Sequence, residues 1–219
     1  MSDALPTLYS FRRCPYAMRG RMALSVADQS VILREIELRN RLDEIYQASA
    51  KGTVPVLVLA DGTVIDESLD VMRWALAQND PEAWMPRNDA EREACETLIA
   101  RNDGDFKHHL DRYKYATRYE DVDEVEHRSA ASEILLDLDA RLQSQPFLLG
   151  DRFTLADAAL APFVRQFAFA DRAWFDAQPW TKLRAWLDAF IASPRFQRIM
   201  TKYSVWRSGD EPFVLRWNE

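Results

Sequence analysis

Residues 5–27 of the chain are LPTLYSFRRCPYAMRGRMALSVA. The first part of this stretch, residues 5–11, has the apolar and aromatic composition of a short strand. Apolar side chains then recur at helical spacing over residues 14–27. Pro15 suits the first turn of a helix, because the backbone N–H that proline lacks would have no partner there. The sequence therefore predicts a strand that leads directly into a helix beginning at Cys14.

Strands and helices continue to alternate up to residue 79. An Asp61-Gly62 pair between two short apolar segments is typical of a hairpin turn. The predicted segments after the first helix are a strand over 31–36, a short polar helix or loop over 41–50, strands over 54–59 and 63–65, and a helix from 68 onward. The predicted order β-α-β-α-β-β-α indicates an α/β layer structure.

The second part of the chain differs from the first. Helix-breaking residues between Asn79 and Arg87 indicate a domain boundary, and no segment beyond them predicts a strand. We expect an α/β domain over 1–79, a linker over 80–88 and an all-helical domain over 89–219. The predicted amphipathic or buried helices of that domain are 90–115, 122–142, 154–169, 180–192 and 195–203.

One helix start in the second part has a sharp signal. Thr154 and Asp157 have the spacing of a capping box, with Asp in place of the usual Glu. The apolar residues that follow, 158–164, predict a central buried helix. We therefore expect Asp157 to stabilise the fold rather than to catalyse a reaction.

Composition and charge exclude several classes of protein. The 219 residues include 28 basic and 35 acidic side chains, for a net charge of −7, and 47% are hydrophobic. This composition excludes a disordered chain, and the acidic balance argues against nucleic acid as a partner. The longest apolar run, residues 54–60, is far shorter than the roughly 20 residues of a membrane span. We therefore expect neither a nucleic-acid nor a membrane partner.

Cysteines, histidines and glycines limit the compartment and the cofactors. Cys14 and Cys95 are too few for a disulfide scaffold, and the N-terminal residues lack the basic-then-apolar order of a secretory signal, so we expect a cytoplasmic protein. The three histidines show no metal-ligand spacing, which predicts that no metal is bound. The six glycines form no phosphate-binding loop, which disfavours nucleotide cofactors.

Cys14 is the candidate nucleophile. A thiol where a strand ends and a helix begins faces unpaired backbone N–H groups and the positive end of the helix dipole, and both favour the thiolate. Arg12 and Arg13 would add to this effect if either side chain points toward the sulfur. The alternative is a buried, inert cysteine. The preceding strand and the following proline favour a reactive cysteine instead.

Two further segments are candidates for ligand binding. Pro55 heads an apolar strand, where it must lie at the first residue or at an edge, and a cis Val54–Pro55 bond fits there. The backbone of Val54 would then be available to pair with an extended peptide. Glu67 and Ser68 precede a helix, so the hydroxyl with helix-start amides can bind an anion and the carboxylate can receive an ammonium. Ser68 as a plain helix N-cap is the alternative.

Taken together, these motifs resemble those of the cytosolic glutathione transferases over the whole chain. The matching motifs are Cys-Pro-Tyr-Ala-x-Arg after a strand, Thr-Val-Pro-Val-Leu, Glu-Ser after an Asp-Gly hairpin, and the Thr-x-x-Asp box of the helical half. The cysteine is similar to that of the omega-type enzymes and the dehydroascorbate reductases. The first motif also resembles a monothiol glutaredoxin site, because Ala17 stands where a dithiol enzyme has its second cysteine.

The resemblance implies a thioredoxin-like domain followed by a helical domain, with glutathione as co-substrate and no metal. It implies that Cys14 meets the glutathione sulfur, that Val54 beside cis-Pro55 pairs with the cysteinyl backbone, and that Lys51 meets the glycyl carboxylate. Ser68 and Glu67 would meet the γ-glutamyl carboxylate and ammonium. The candidates for a co-substrate cleft are Tyr16, Asn102, Phe106, His109, Tyr113 and Phe163. His108 and His109 are adjacent on one helix, so we do not expect both to face one cleft, and solvent-exposed positions are the favoured alternative.

A cysteine nucleophile favours glutathione-dependent thiol transfer or reduction, with a small disulfide or electrophile as the other substrate. One alternative is conjugation of glutathione to small electrophiles, and another is a non-catalytic interaction protein with the same fold. Proteins of the family that this chain resembles are commonly homodimers, so the resemblance implies a homodimer.

Overall fold

The computed structural model describes residues 4–39 and 42–218. Two compact units are present, one made of residues up to Glu82 together with those from Ser193 onward, the other of Ala83–Ala192. In chain order the elements are β1 (Thr7–Ser10), α1 (Pro15–Val26), β2 (Val31–Glu35), α2 (Asp43–Ala48), β3 (Val56–Val58), β4 (Val64–Ile65), α3 (Ser68–Gln78), α4 (Asp89–Arg101), a π-helical segment (Asn102–Phe106), α5 (Lys107–Lys114), a 3₁₀ turn (Ala116–Arg118), α6 (Glu124–Leu142), α7 (Leu155–Ala168), α8 (Arg172–Asp176), α9 (Thr181–Ala192), α10 (Pro194–Ile199) and β5 (Val214–Leu215).

The first unit is built on a sheet with strand order β4-β3-β1-β2-β5. Strand β1 runs parallel to β2 and antiparallel to β3, and the β3–β4 hairpin turns at Gly62, whose φ of +87° suits glycine. Helices α1 and α3 pack against each other. The α/β order predicted for the first part of the chain is confirmed. The predicted polar segment 41–50 contains α2, and its first residue, Arg41, lies outside the described residues.

The C-terminal segment corrects the expected domain boundaries. Residues from Ser193 onward belong to the first unit instead of to a helical domain over 89–219. The reason is strand pairing, because β5 adds to the sheet with Leu215 opposite Val31. Trp217 is buried and its indole N–H donates to the carbonyl of Gln29 at 2.7 Å. The expectation of no strand beyond the linker was therefore wrong.

The C-terminal segment is also hydrogen-bonded to two residues, Arg21 and Glu35, that form a buried ion pair in the first unit. Arg21 of α1 and Glu35 of β2 lie 2.9 Å apart and are almost fully buried. The same guanidinium donates to the carbonyl of Ile199 in α10 at 3.2 Å, and the carbonyl of Glu35 accepts from Trp206 N–H at 2.8 Å. The two buried charges thus face each other, as burial requires, although the Nε–H of Arg21 is buried without a hydrogen-bond partner among the described residues.

The second unit is helical, with α7 at its centre. All but two of the fourteen residues of α7 are buried. The predicted capping box is confirmed: the Asp157 carboxylate accepts from the backbone N–H and the hydroxyl of Thr154 at 2.9 and 2.8 Å. Asp157 also accepts from Leu148 N–H and from the indole N–H of Trp186, both at 3.0 Å. This carboxylate therefore ties the loop before α7 and helix α9 to the start of α7.

The predicted helix over 90–115 is continuous but not uniform, because a π-helical segment separates α4 from α5. Such segments are often found at functional sites. Helix α8 was not predicted, and the helix predicted over 195–203 ends at Ile199. None of the helices in the described ranges has the length and apolar character needed to cross a bilayer.

Candidate functional site

Cys14 lies between the end of β1 and the start of α1. Its backbone is extended (φ −75°, ψ 124°), it occupies the N-cap position of α1, and Pro15 follows as the first helical residue. The side chain is partly exposed, and Cys14 and Cys95 are both thiols rather than a disulfide. A cysteine here lies beside the amide groups at the start of a twelve-residue helix, although its side chain makes no capping hydrogen bond to them.

The two arginines before Cys14 make contacts elsewhere. Arg12 donates from its guanidinium to the carbonyl of Met200 at 3.2 Å. The Arg13 guanidinium lies 5.3 Å from the centre of the Phe11 ring. Neither of these contacts involves the Cys14 sulfur, so they do not support the predicted effect of Arg12 and Arg13 on it.

The Val54–Pro55 bond is cis, as the sequence suggested. The Cys14 sulfur lies 3.7 Å from the carbonyl oxygen of Val54, within reach of a weak S–H···O hydrogen bond. Cys14 also packs against a core cluster that includes Val54 and Tyr9, and Trp206 of the C-terminal segment packs against the same cluster. Two of the three predicted binding segments thus meet at one place in the first unit.

Lys51 and Glu67, predicted to hold opposite ends of a ligand, bind each other. The Lys51 ammonium lies 2.5 Å from the Glu67 carboxylate and 3.0 Å from that of Asp66. Ser49 donates its hydroxyl to Asp66 at 2.6 Å. The hydrogen bond from Ser49, followed by that from Lys51, lowers the pKa of Asp66, and the bonds to Glu67 and Asp66 raise the pKa of Lys51. Asp66 was not among the predicted ligand-binding residues.

Ser68 begins α3, and the N-cap position belongs to Glu67. The plain N-cap alternative for Ser68 is therefore wrong. The serine is buried, and its hydroxyl accepts from the Arg19 guanidinium at 3.4 Å. Arg19, on α1, is itself fully buried, and it lies 5.5 Å from the Tyr16 ring centre. The sequence motif included this arginine, but nothing in the spacing assigned it to the Ser68 site.

Two predicted cleft residues lie in the core of the helical unit. Phe106 and Phe163 are 1% and 0% exposed, and Phe106 packs on the ring of Phe167 at 5.8 Å. This differs from the predicted position on an open cleft, because helical period alone does not say which face is buried. Asn102 is buried in the π-helical segment, with its amide donating to Asp103 at 2.8 Å.

Tyr113 is also largely buried, 5.0 Å from the Phe167 ring. Burial raises the pKa of the Tyr113 hydroxyl, an effect that the Arg128 guanidinium partly offsets. Its cleft role stays a prediction.

His109 belongs to a cluster that the sequence did not predict. His108, His109 and His127 bring one ring nitrogen each within 4.8 Å of the others. Both rings reach the ring of His127 on α6, with His108 exposed and His109 partly buried. Burial lowers the pKa of His108, helped by the Arg112 charge, and burial lowers the pKa of His109, helped by its two histidine neighbours.

Comparison with known proteins places both parts of the chain in one family. Residues 8–84 match the model of the glutathione S-transferase N-terminal domain, and residues 83–189 match that of the glutathione S-transferase C-terminal domain. A stringent starvation protein A homolog from Coxiella burnetii is 23% identical over 164 residues, 75% of this chain and 77% of that protein. Glutathione S-transferase omega-1 from Sus scrofa is 28% identical over 97 residues, 44% of this chain and 40% of that protein.

A solved structure shares the fold over nearly the whole chain. It is a glutathione transferase family member from Pseudomonas fluorescens with two glutathione bound, 16% identical, with a TM-score of 0.78 over 90% of this chain and 92% of that one. The thioredoxin-like first part and the helical second part therefore match in order and in architecture. The chain belongs to the glutathione S-transferase family of enzymes.

Proposed function

We propose that the protein catalyses glutathione-dependent thiol transfer through Cys14. The observation that carries the proposal is the position of this sulfur, at the N-cap of α1 and next to the Val54–Pro55 segment that would hold the cysteinyl residue of glutathione. A helix N-terminus favours the thiolate, which is the reactive form of cysteine. Ser or Tyr at this position would only activate the glutathione thiol, whereas Cys can form the disulfide itself.

Glutathione would lie along the first unit between Val54 and the start of α3. The backbone of Val54 would pair with its cysteinyl residue. Ser68, held by Arg19, would receive the γ-glutamyl carboxylate beside the amide groups of α3. Lys51 and Glu67 would receive the glycyl carboxylate and the γ-glutamyl ammonium. These two side chains bind each other, so a zwitterion that binds between them would replace one ion pair by two.

The reaction consists of two thiol–disulfide exchanges. The Cys14 thiolate attacks the glutathione sulfur of a mixed disulfide, forms the Cys14–glutathione disulfide and releases the substrate as its thiolate. A second glutathione thiolate attacks the glutathione sulfur of this intermediate, which releases glutathione disulfide and restores the Cys14 thiolate. The substrate disulfide is thereby reduced by two electrons, and two glutathione units are joined in the oxidised product.

The test compares Cys14→Ser with Cys95→Ala, a matched control at a buried cysteine of the other unit. Reduction of a small mixed disulfide by glutathione is expected to fall to the uncatalysed rate in Cys14→Ser and to persist in Cys95→Ala. Mass spectrometry after treatment with glutathione disulfide should find one added glutathione on Cys14 and none in Cys14→Ser. Full activity in Cys14→Ser would refute the proposal.

Conjugation of glutathione to small electrophiles is the second candidate, and the family assignment favours it. The same two variants separate the candidates. If conjugation is the main activity, Cys14→Ser keeps or gains turnover of an electrophile while thiol transfer is slow in every variant. A protein that does neither, and is not retained on immobilised glutathione, would instead be an interaction protein.

The acceptor in this proposal is a small disulfide or electrophile, and the protein acts in the cytoplasm as a homodimer. Light scattering of the purified protein tests the dimer directly. A monomeric mass across micromolar concentrations would contradict it.

A further inference from the structure

The sequence contains three histidines, and the fold brings all of them together. His108 and His109 are on α5, and His127 is on α6, which packs against α5. The ring centres lie 5.0 Å apart for His108 and His109, 5.6 Å for His108 and His127, and 5.0 Å for His109 and His127. His109 and His127 are partly buried and His108 is exposed, so the cluster opens to solvent on one side.

The closest contact in the cluster joins two nitrogens of the same kind. The Nδ1 atoms of His109 and His127 lie 2.7 Å apart. One of them must donate a proton and the other accept it, since two bare lone pairs would repel. This hydrogen bond turns both rings toward each other, and a modest widening would bring their nitrogens to the separation of two ligands of one ion.

The distances suit a first-row transition metal. Zinc–nitrogen bonds of about 2.0–2.1 Å at tetrahedral angles require nitrogen–nitrogen separations of about 3.3–3.4 Å. The separations in the cluster begin at 2.7 Å and do not exceed 4.8 Å, so small side-chain rotations reach the required value. Imidazole nitrogen suits zinc, copper and nickel, whereas magnesium and calcium prefer oxygen. Three protein ligands would leave at least one position open to water.

One cation competes for the cluster. The Arg112 guanidinium lies 2.9 Å from Nδ1 of His108 and also donates to its carbonyl at 3.4 Å. A metal ion bound by His108 would displace this hydrogen bond and would be repelled by the guanidinium charge. Arg112 is also held by the Tyr119 ring, 4.7 Å away, so it can stay in place when the contact with His108 is lost.

We propose that His108, His109 and His127 bind one divalent transition-metal ion, with zinc as the reference ion, and that Arg112 opposes its binding. The bound ion would cross-link α5 to α6 within the helical unit. This site is separate in chemistry from the thiol of Cys14, so the two proposals stand or fall independently.

The test uses protein without a polyhistidine tag, stripped by a chelator and carrying Cys14→Ser so that this thiol does not bind zinc. Calorimetric titration with ZnCl₂ is expected to find one site per chain, and MgCl₂ is expected not to bind. His108→Gln and His127→Gln should each weaken zinc binding by at least about tenfold, since even partners that only orient a ligand are worth 10–100-fold. Circular dichroism checks that each variant is folded, and the exposed His108 makes its variant the safer of the two.

Two further readouts sharpen the result. Co²⁺ in place of zinc should give visible absorption bands that disappear in His127→Gln, and zinc should raise the melting temperature of the parent but not of this variant. Arg112→Gln should tighten zinc binding, and an unchanged or weaker affinity would overturn its opposing role. Absence of zinc binding, or equal affinity in either histidine variant and the parent, would overturn the site.

Discussion

Replacing Asp157 by alanine should be among the most destabilising single changes in the helical unit. The carboxylate is fully buried and accepts four hydrogen bonds. Its Oδ1 atom serves Leu148 N–H and the indole of Trp186, and Oδ2 serves the N–H and the hydroxyl of Thr154. Alanine leaves three N–H donors buried without an acceptor, because only the hydroxyl can turn to another partner.

The magnitude follows from those three donors. An orphaned buried donor costs about 1–3 kcal/mol, so the three donors together should lower the free energy of unfolding of Asp157→Ala by about 3–9 kcal/mol. Asp157→Asn should cost less, about 1–3 kcal/mol, because its amide NH₂ can face the Thr154 hydroxyl and its oxygen can keep Leu148 and Trp186. At about 2–4 °C per kcal/mol for a chain of this size, the alanine variant should melt at least about 6 °C lower.

Urea denaturation followed by circular dichroism measures these differences. The matched control is Asp151→Ala, an exposed acid in the same loop, which should change stability by no more than about 0.5 kcal/mol. The reasoning would be refuted if Asp157→Ala lost less than about 1 kcal/mol, or if Asn proved as costly as Ala. Either result would mean that the four hydrogen bonds do not hold the loop and the helix together.

Three other variants test the first unit. Gly52→Ala should lower the free energy of unfolding by about 1–3 kcal/mol, as measured by urea denaturation. Gly52 has a φ of +57°, and an added Cβ would collide with the Tyr46 ring. Gly62→Ala is the control and should cost less, because its Cβ meets open space. Glu67→Gln should raise the KM for glutathione about tenfold with kcat little changed, since it removes one charge-assisted hydrogen bond from the proposed site; an unchanged KM would remove Glu67 from it. The folded-state pKa of Asp66 lies below its usual 3.8, so its stabilising contribution is full above that value and is lost as pH falls through the folded pKa. The stability deficit of Asp66→Asn should therefore be largest near neutral pH and shrink in acid, and urea denaturation showing the reverse trend would contradict this.

Local signals in the sequence were enough for most of the fold. The order of strands and helices up to α3 follows from apolar period, from Pro15 and from the Asp61-Gly62 turn, all of which act within a few residues. The Asp157 cap is equally local. The meeting of Cys14 with Val54 was predicted through the family resemblance, since forty positions separate them and no local rule connects the two.

Contacts between distant segments could not be predicted in the same way. The pairing of β2 with β5 joins Val31 to Leu215 through strands too short to show an alternating pattern. The histidine cluster depends on how α5 packs against α6. Whether the Phe106 and Phe163 side chains are exposed or buried also depends on how the helices pack. In each case the deciding term is tertiary contact, which overrides what period and spacing indicate.

The completion of the sheet by β5 has a consequence for the newborn polypeptide. Ribosomes add about 5–20 residues per second, so β2 would wait on the order of ten to forty seconds for its last neighbour to be synthesised. During that time the open edge of β2 exposes unpaired backbone N–H and C=O groups, which can pair with a strand of another chain. We expect chaperones to bind at this edge. Synthesis of β5 would then close this edge, and a chain truncated before β5 would expose the edge of β2 and be prone to aggregation.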